Sequence, residues 1–108
     1  DLAQLPTPAQ CEGSSLLSLL RDPSAEWNEL AYTQYPRSGW VMGYSVKSPS
    51  GRYTEWIKRG TGKVVDREYY DHQLDPSENL NRAGEADYAG VIDSLSKAIA
   101  DERKRCEK

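Results

Sequence analysis

Hydrophobic and polar residues alternate most clearly between Trp40 and Lys58. Trp40, Met42, Tyr44 and Val46 fall on one face of an extended segment, and Val41, Gly43, Ser45 and Lys47 on the other. Ser48-Pro49-Ser50-Gly51 then has the residues of a tight turn. Arg52 to Lys58 alternates again, with Tyr53 and Ile57 on one face and Thr54 and Trp56 on the other. Gly60-Thr61-Gly62 turns the chain once more before a further strand from Val64 to Tyr70. A weaker alternation from Glu29 to Tyr35 supplies the first strand, broken by Pro36-Arg37-Ser38-Gly39. Strands at 29–35, 40–47, 52–58 and 64–70 joined by such short connections predict an antiparallel meander.

Beyond Tyr88 the period lengthens. Tyr88, Val91, Ile92, Leu95, Ala98 and Ile99 form one stripe, while Asp93, Lys97, Asp101 and Lys104 take the wet side. This predicts an amphipathic helix from about Asp87 to Lys104, and the Trp40/Met42/Tyr44/Val46 face is its natural seat. The fold class is therefore α+β: a four-stranded antiparallel sheet with a C-terminal helix packed on one face. Between strand and helix, Asp75-Pro76-Ser77-Glu78 reads as an N-cap, a proline at the first helical position and a capping-box glutamate. One helical turn is expected there, ending around Asn79 to Asn81.

The first 28 residues are a lead-in of different character. Leu5-Pro6-Thr7-Pro8 disfavours helix. Ser14 or Ser15 can cap a short helix through Leu16-Leu17-Ser18-Leu19-Leu20, stopped by Asp22-Pro23. Four leucines in five positions leave almost no polar face. Leu16, Leu17, Leu19 and Leu20 are expected to form part of an apolar patch meant for a partner, and in isolation that patch can drive dimerisation. The organisation expected is 1–28 as lead-in and 29–108 as the sheet-plus-helix unit.

Composition sharpens the picture. The chain has 108 residues, which suits one domain with a modest core. It contains no Phe; its aromatic bulk is seven Tyr and three Trp, which suit half-buried or interfacial positions. The net charge is −3 with acids and bases interspersed, so nucleic acid is not an expected partner. The densest basic stretch (Arg52, Lys58, Arg59, Lys63, Arg67) is interrupted by Glu55 and Asp66 and reads as a solvated hairpin edge. No apolar run approaches the ~20 residues that span a membrane, and Asp1 to Pro6 lack the basic and apolar regions of a signal peptide. Cys11 and Cys106 match no metal motif and read as two separate thiols, with a bridge between them left open.

Catalytic chemistry is sparse. His72, in Tyr70-Asp71-His72-Gln73, is the sole histidine and reads as a hydrogen-bonded loop residue. No Asp/Glu cluster has metal-ligand spacing, and Gly60-Thr61-Gly62-Lys63 lacks the spacing of a phosphate loop. No self-sufficient catalytic or metal-binding residue set is expected in these 108 residues.

The order of the segments resembles the C-terminal subdomain of type I sulfatases. Leu5-Pro6 through Cys11-Glu12-Gly13-Ser14-Ser15 and the leucine run resemble the lead into that subdomain. Ala31-Tyr32-Thr33-Gln34-Tyr35-Pro36-Arg37 is similar to the Ala-Tyr-Ser-Gln-Tyr-Pro-Arg stretch of iduronate-2-sulfatases. Met42-Gly43-Tyr44-Ser45 with Arg52-Tyr53-Thr54-Glu55-Trp56 resembles the hairpin of that subfamily. Glu68-Tyr69-Tyr70-Asp71 followed by Asp75-Pro76-Ser77-Glu78-Asn79-Leu80-Asn81 is similar to the common sulfatase ending, with Tyr69 where Leu is usual.

The resemblance implies docking on a large upstream α/β catalytic domain. That domain would hold calcium and a formylglycine made from Cys or Ser in Cys/Ser-x-Pro-x-Arg. Neither Cys11 nor Cys106 fits that motif, so this chain alone is expected to be inactive. The substrate implied is a sulfated glycan, with the 2-O-sulfate of a uronic acid as the specific ester, in a secreted, periplasmic or lysosomal setting. Gln34, Tyr35 and Arg37, where the first strand is expected to end at Pro36, are the candidate substrate-binding residues, because Arg presents a planar fork to carboxylate or sulfate. The alternative is a stand-alone module that grips sugars through Trp27, Trp40 or Trp56, or a structural interaction domain.

Overall fold

The computed structural model describes residues 5–11, 13–27, 29–37 and 39–106. Expectations for residues 1–4 of the lead-in, for Glu12 and Asn28 and for Ser38 in the first turn lie outside them. The four strands are β1 (Ala31–Arg37), β2 (Val41–Lys47), β3 (Gly51–Lys58) and β4 (Val64–Asp71). They form one antiparallel sheet in the order β1-β2-β3-β4, as the short connections require. A single 3-10 turn, Ala86–Tyr88, leads into the long helix α2 (Ala89–Cys106). The short helix α1 spans Leu17–Arg21; Leu16, not Ser14 or Ser15, stands at its N-cap without a side-chain cap bond, although the Leu17 N–H donates to Ser15 Oγ at 3.2 Å. Asp22, held extended before Pro23, ends it.

Helix α2 lies across β2 and β3. Its buried residues Ile92, Leu95 and Ile99 meet Val46, Tyr53 and Tyr69, which the register places side by side on three neighbouring strands. Leu30, Tyr44, Ala83, Tyr88 and Val91 close the margins of this core. Inside it lies one carboxylate: Glu55 is 5% exposed and accepts hydrogen bonds from Tyr53 Oη and Ser96 Oγ. Two donors meet the requirement that a buried polar group be bonded. Burial, and then the Glu55 charge, push the Tyr53 hydroxyl well up from its ordinary range. Arg103 lies 4.6 Å over the Tyr44 ring and holds the far end of α2 against β2.

Three expectations are corrected. Trp40 does not join the helix-facing row: it stands in the turn after Gly39, before β2 begins, and is 74% exposed. Pro36 does not end the first strand; it pairs with Met42, and Arg37 pairs with Val41. An edge strand can hold a proline because its missing N–H need face no neighbour. Residues 75–78 form a hydrogen-bonded turn, Glu78 N–H to Asp75 O at 3.1 Å, and not a turn of helix. Glu78 sits at φ 57°, which no helix tolerates, and its side chain leaves the capping position for His72 and Arg52.

The leucines of α1 are not taken into the core. Leu16 and Leu20 are 57% and 67% exposed, and Leu17 and Leu19 are half-buried. Cys11 and Cys106 are both free, exposed thiols.

Candidate functional site

No described helix packs on the sheet face away from α2, and its side chains fall into cross-strand rows. Thr33, Ser45, Thr54 and Glu68 make one row; Tyr35, Gly43, Trp56 and Asp66 make the next. In the first, Thr33, Ser45 and Thr54 make a floor of short hydroxyl side chains, with Glu68 at its β4 end. Ser45 Oγ donates to the Tyr53 carbonyl at 3.3 Å, and Thr54 Oγ1 donates to Ser45 Oγ at 3.0 Å.

Trp56 is fixed from three sides. Below it lies Gly43, where a Cβ would come 2.7 Å from Cζ3 of the indole, so only glycine lets the ring lie flat on β2. At its edge, Nε1 donates to Glu68 Oε1 at 2.8 Å. Above it, the Arg37 guanidinium stacks 4.7 Å from the ring centroid. Arg37 has no carboxylate partner among the described residues, so its donors remain available beside the ring. Tyr35, 66% exposed, stands next in the row.

A second wall closes the other side of the hydroxyl floor. Arg52 pairs across to Tyr70, and Arg52 Nε meets Glu78 Oε1 at 2.9 Å. The same Glu78 oxygen bonds His72 Nε2 at 2.5 Å, which makes His72 the hydrogen-bonded loop histidine the sequence indicates. Tyr70 Oη donates to Glu68 Oε2 at 3.1 Å. Partial burial, followed by the Glu68 charge, raises the Tyr70 hydroxyl above its ordinary range, so it stays a neutral donor at physiological pH. Between the walls is a groove of about 240 Å³.

The structure separates the three residues singled out from the sequence. Tyr35 and Arg37 share the open face. Gln34 points to the other side, where it lines a hollow with Tyr44, Ile99 and Glu102 beneath α2. The hydroxyl floor, Gly43, Trp56 and Tyr70 line the groove with Tyr35, while Arg37 stacks on Trp56 outside that lining, and sequence reasoning did not group them. The alternation in β2 and β3 held the signal, because it already set Gly43 and Ser45 on one face and Thr54 with Trp56 on one face.

The three tryptophans form no common platform. Trp27 lines a separate hollow with Leu30, Tyr32 and Glu102, Trp40 stands in its turn, and Trp56 lies on the open face. Among the described residues no group of three His, Cys, Asp or Glu could hold a metal ion. No described helix is long and apolar enough to cross a membrane.

The class these elements define is an α+β meander with one helix across one face and an open, aromatic and hydroxyl-lined face opposite. The same fold is present in the structure of BT4656 in complex with its substrate D-glucosamine-2-N,6-O-disulfate. The match covers 94% of this chain with a TM-score of 0.72 at 23% sequence identity. The chain spans 21% of that protein's length. No protein-family model and no curated protein matches the chain.

Proposed function

We propose that this chain is the C-terminal subdomain of a sulfatase acting on sulfated glycans. The observation that carries the reading is the structural match, over 94% of this chain, to one-fifth of a protein whose substrate is a sulfated sugar. The Gln-Tyr-Pro-Arg, Met-Gly-Tyr-Ser and Asp-Pro-Ser-Glu segments support it independently. In this reading residues 29–108 pack on an upstream catalytic domain. That domain supplies the formylglycine nucleophile and calcium, and the present chain shapes the substrate cleft and is inactive by itself.

The ester we assign is the 2-O-sulfate of a uronic acid, with Tyr35 and Arg37 toward the sugar; Gln34, on the opposite face, is not assigned to it. A second reading, sulfated glucosamine, is favoured by the substrate of BT4656. In the longer protein, Arg37→Ala and Arg37→Lys are assayed on a sulfated uronate disaccharide, on a sulfated glucosamine and on a small aryl sulfate. A direct role predicts a selective loss on the uronate, about 1.5–3 kcal/mol for one charged hydrogen bond. Equal losses on all three, with reduced thermal stability, assign Arg37 to the scaffold. The coding sequence upstream of Asp1 provides a second check, since the reading requires Cys/Ser-x-Pro-x-Arg there.

A further inference from the structure

We propose that the hollow at the far end of α2, on the helix side of the sheet, is a binding site for a small organic phosphate monoester. Its cations come from two distant parts of the chain. Lys58 ends β3, Arg59 opens the turn that follows, and Arg103 reaches the same hollow from α2. No Asp or Glu lines it. The acids nearest in sequence are engaged elsewhere: Glu55 accepts from Tyr53 and Ser96, and Glu102 from Arg105. Among the described residues none pairs with Lys58, Arg59 or Arg103. Like charges gathered in one hollow repel, and a chain of net charge −3 has acids enough to neutralise them but places none there. An anion in the hollow relieves that repulsion.

The frame around these charges is fixed. Lys58 N–H donates to Lys63 O at 2.8 Å, Gly62 N–H to Lys58 O at 3.0 Å and Arg59 N–H to Trp40 O at 2.7 Å. Gly60 and Gly62, at φ 81° and 67°, shape the turn, and no atom lies within 4 Å of where their Cβ would stand, so the mouth beside them is open. Arg103 lies 4.6 Å over the Tyr44 ring, with its Nε buried and without a hydrogen-bond partner. Stacking, not an acid, sets its position, and a preoriented guanidinium loses little entropy when it meets an oxyanion. The floor is apolar: Ile57 is buried, and Met42 and Tyr44 are half-buried.

Charge and size choose the occupant. Three cations with no acid match a dianion, and a phosphate monoester is nearly doubly charged at neutrality. A sulfate ester carries only one charge. A volume of about 210 Å³ has room for one such group on a small body that rests on the apolar floor. The proposal does not rest on the sulfatase reading.

The 108-residue chain is titrated at low salt with phenyl phosphate, inorganic phosphate, phenyl sulfate and benzyl alcohol, followed by amide chemical shifts. The site predicts saturable binding of phenyl phosphate, with shifts centred on Met42 and on Gly60 to Gly62. Inorganic phosphate, which leaves the floor uncovered, and phenyl sulfate, which carries less charge, should each bind about tenfold more weakly, and benzyl alcohol should not saturate. Lys58→Gln and Arg59→Gln, both exposed, should each weaken phenyl phosphate about tenfold. Lys97→Gln removes an exposed charge of α2 outside the hollow and should bind as the natural chain does. Arg103→Gln serves as a further variant where its amide spectrum shows the fold intact. Absence of saturation by phenyl phosphate would overturn the proposal. So would shifts centred elsewhere, phenyl sulfate or inorganic phosphate bound as tightly, or Lys97→Gln weakening binding as much as Lys58→Gln and Arg59→Gln.

Discussion

Tyr88 donates its hydroxyl to Asp71 Oδ2 at 3.0 Å and so ties the entry of α2 to the last residue of β4. The same carboxylate accepts from Gln73 N–H at 2.8 Å and Leu74 N–H at 3.3 Å. Desolvation alone would raise the Asp71 carboxyl, but the bonds from Gln73, Tyr88 and Leu74 outweigh it and hold the group below its ordinary 3.8. Asp75 is lowered too, first by the Leu80 N–H and, against a raising effect of desolvation, by Asn79.

A depressed carboxyl stabilises the fold above its unfolded value and stops doing so as pH falls through its folded value. The melting temperature should therefore hold from neutrality down to about pH 4 and fall below it. Asp71→Asn should melt lower at pH 7 and show a shallower acid limb. Tyr88→Phe, which removes only one of the three donors, should lie between the two. Melting curves from pH 2 to 7 on the three proteins check this.

Gly43 and Trp56 are fitted to one another. Gly43→Ala sets a Cβ 2.7 Å from a ring that Glu68 and Arg37 hold in place, so the indole must lift. Overpacking of this kind costs about 1–3 kcal/mol. Gly51→Ala is expected to be worse, because its Cβ meets the rigid Tyr70 carbonyl rather than a side chain. Denaturant midpoints measure both, and a stability unchanged by Gly43→Ala would refute the flat seat described for Trp56.

The contact between α2 and the sheet should be the most sensitive part of the molecule. Leu95→Ala or Ile99→Ala removes a side chain at most 6% exposed and should cost about 2–5 kcal/mol. Ser96→Ala takes one donor from the buried Glu55 carboxylate and should cost about 1–3 kcal/mol. The leucines of α1 behave oppositely. Leu16→Ser with Leu20→Ser should change stability by less than about 0.5 kcal/mol, since both are exposed. If α1 mediates self-association, the same pair should shift sedimentation toward monomer.

Strand order and the helical stripe were legible in the sequence because each buried face repeats at the period of its own element. Val46, Tyr53 and Ile57 lie where alternation puts them, and Ile92, Leu95 and Ile99 where the helical period does. Trp40 broke the pattern because alternation carries no information about where a strand begins, and Gly39 at φ 63° keeps the chain in a turn until Val41. The capping signature at Asp75 misled because local preference for a helix start was overridden by a tertiary pairing: Glu78 has Arg52 and His72 to bond. Of the candidate site, Tyr35 and Arg37 were visible in a motif, but their seat on Trp56 was not. It depends on the cross-strand register, which no single strand encodes.

The proposed function has this chain completing a sulfatase without being one. The measurement that tests this most directly is release of inorganic sulfate from sulfated disaccharides, run side by side on the longer protein proposed to carry this chain and on the folded 108-residue chain. The account predicts release by the longer protein, abolished when the Cys or Ser of its Cys/Ser-x-Pro-x-Arg segment is replaced, and none by the chain alone. Sulfate released by the chain alone, or none released by an intact, folded longer protein on any sulfated sugar, would contradict it.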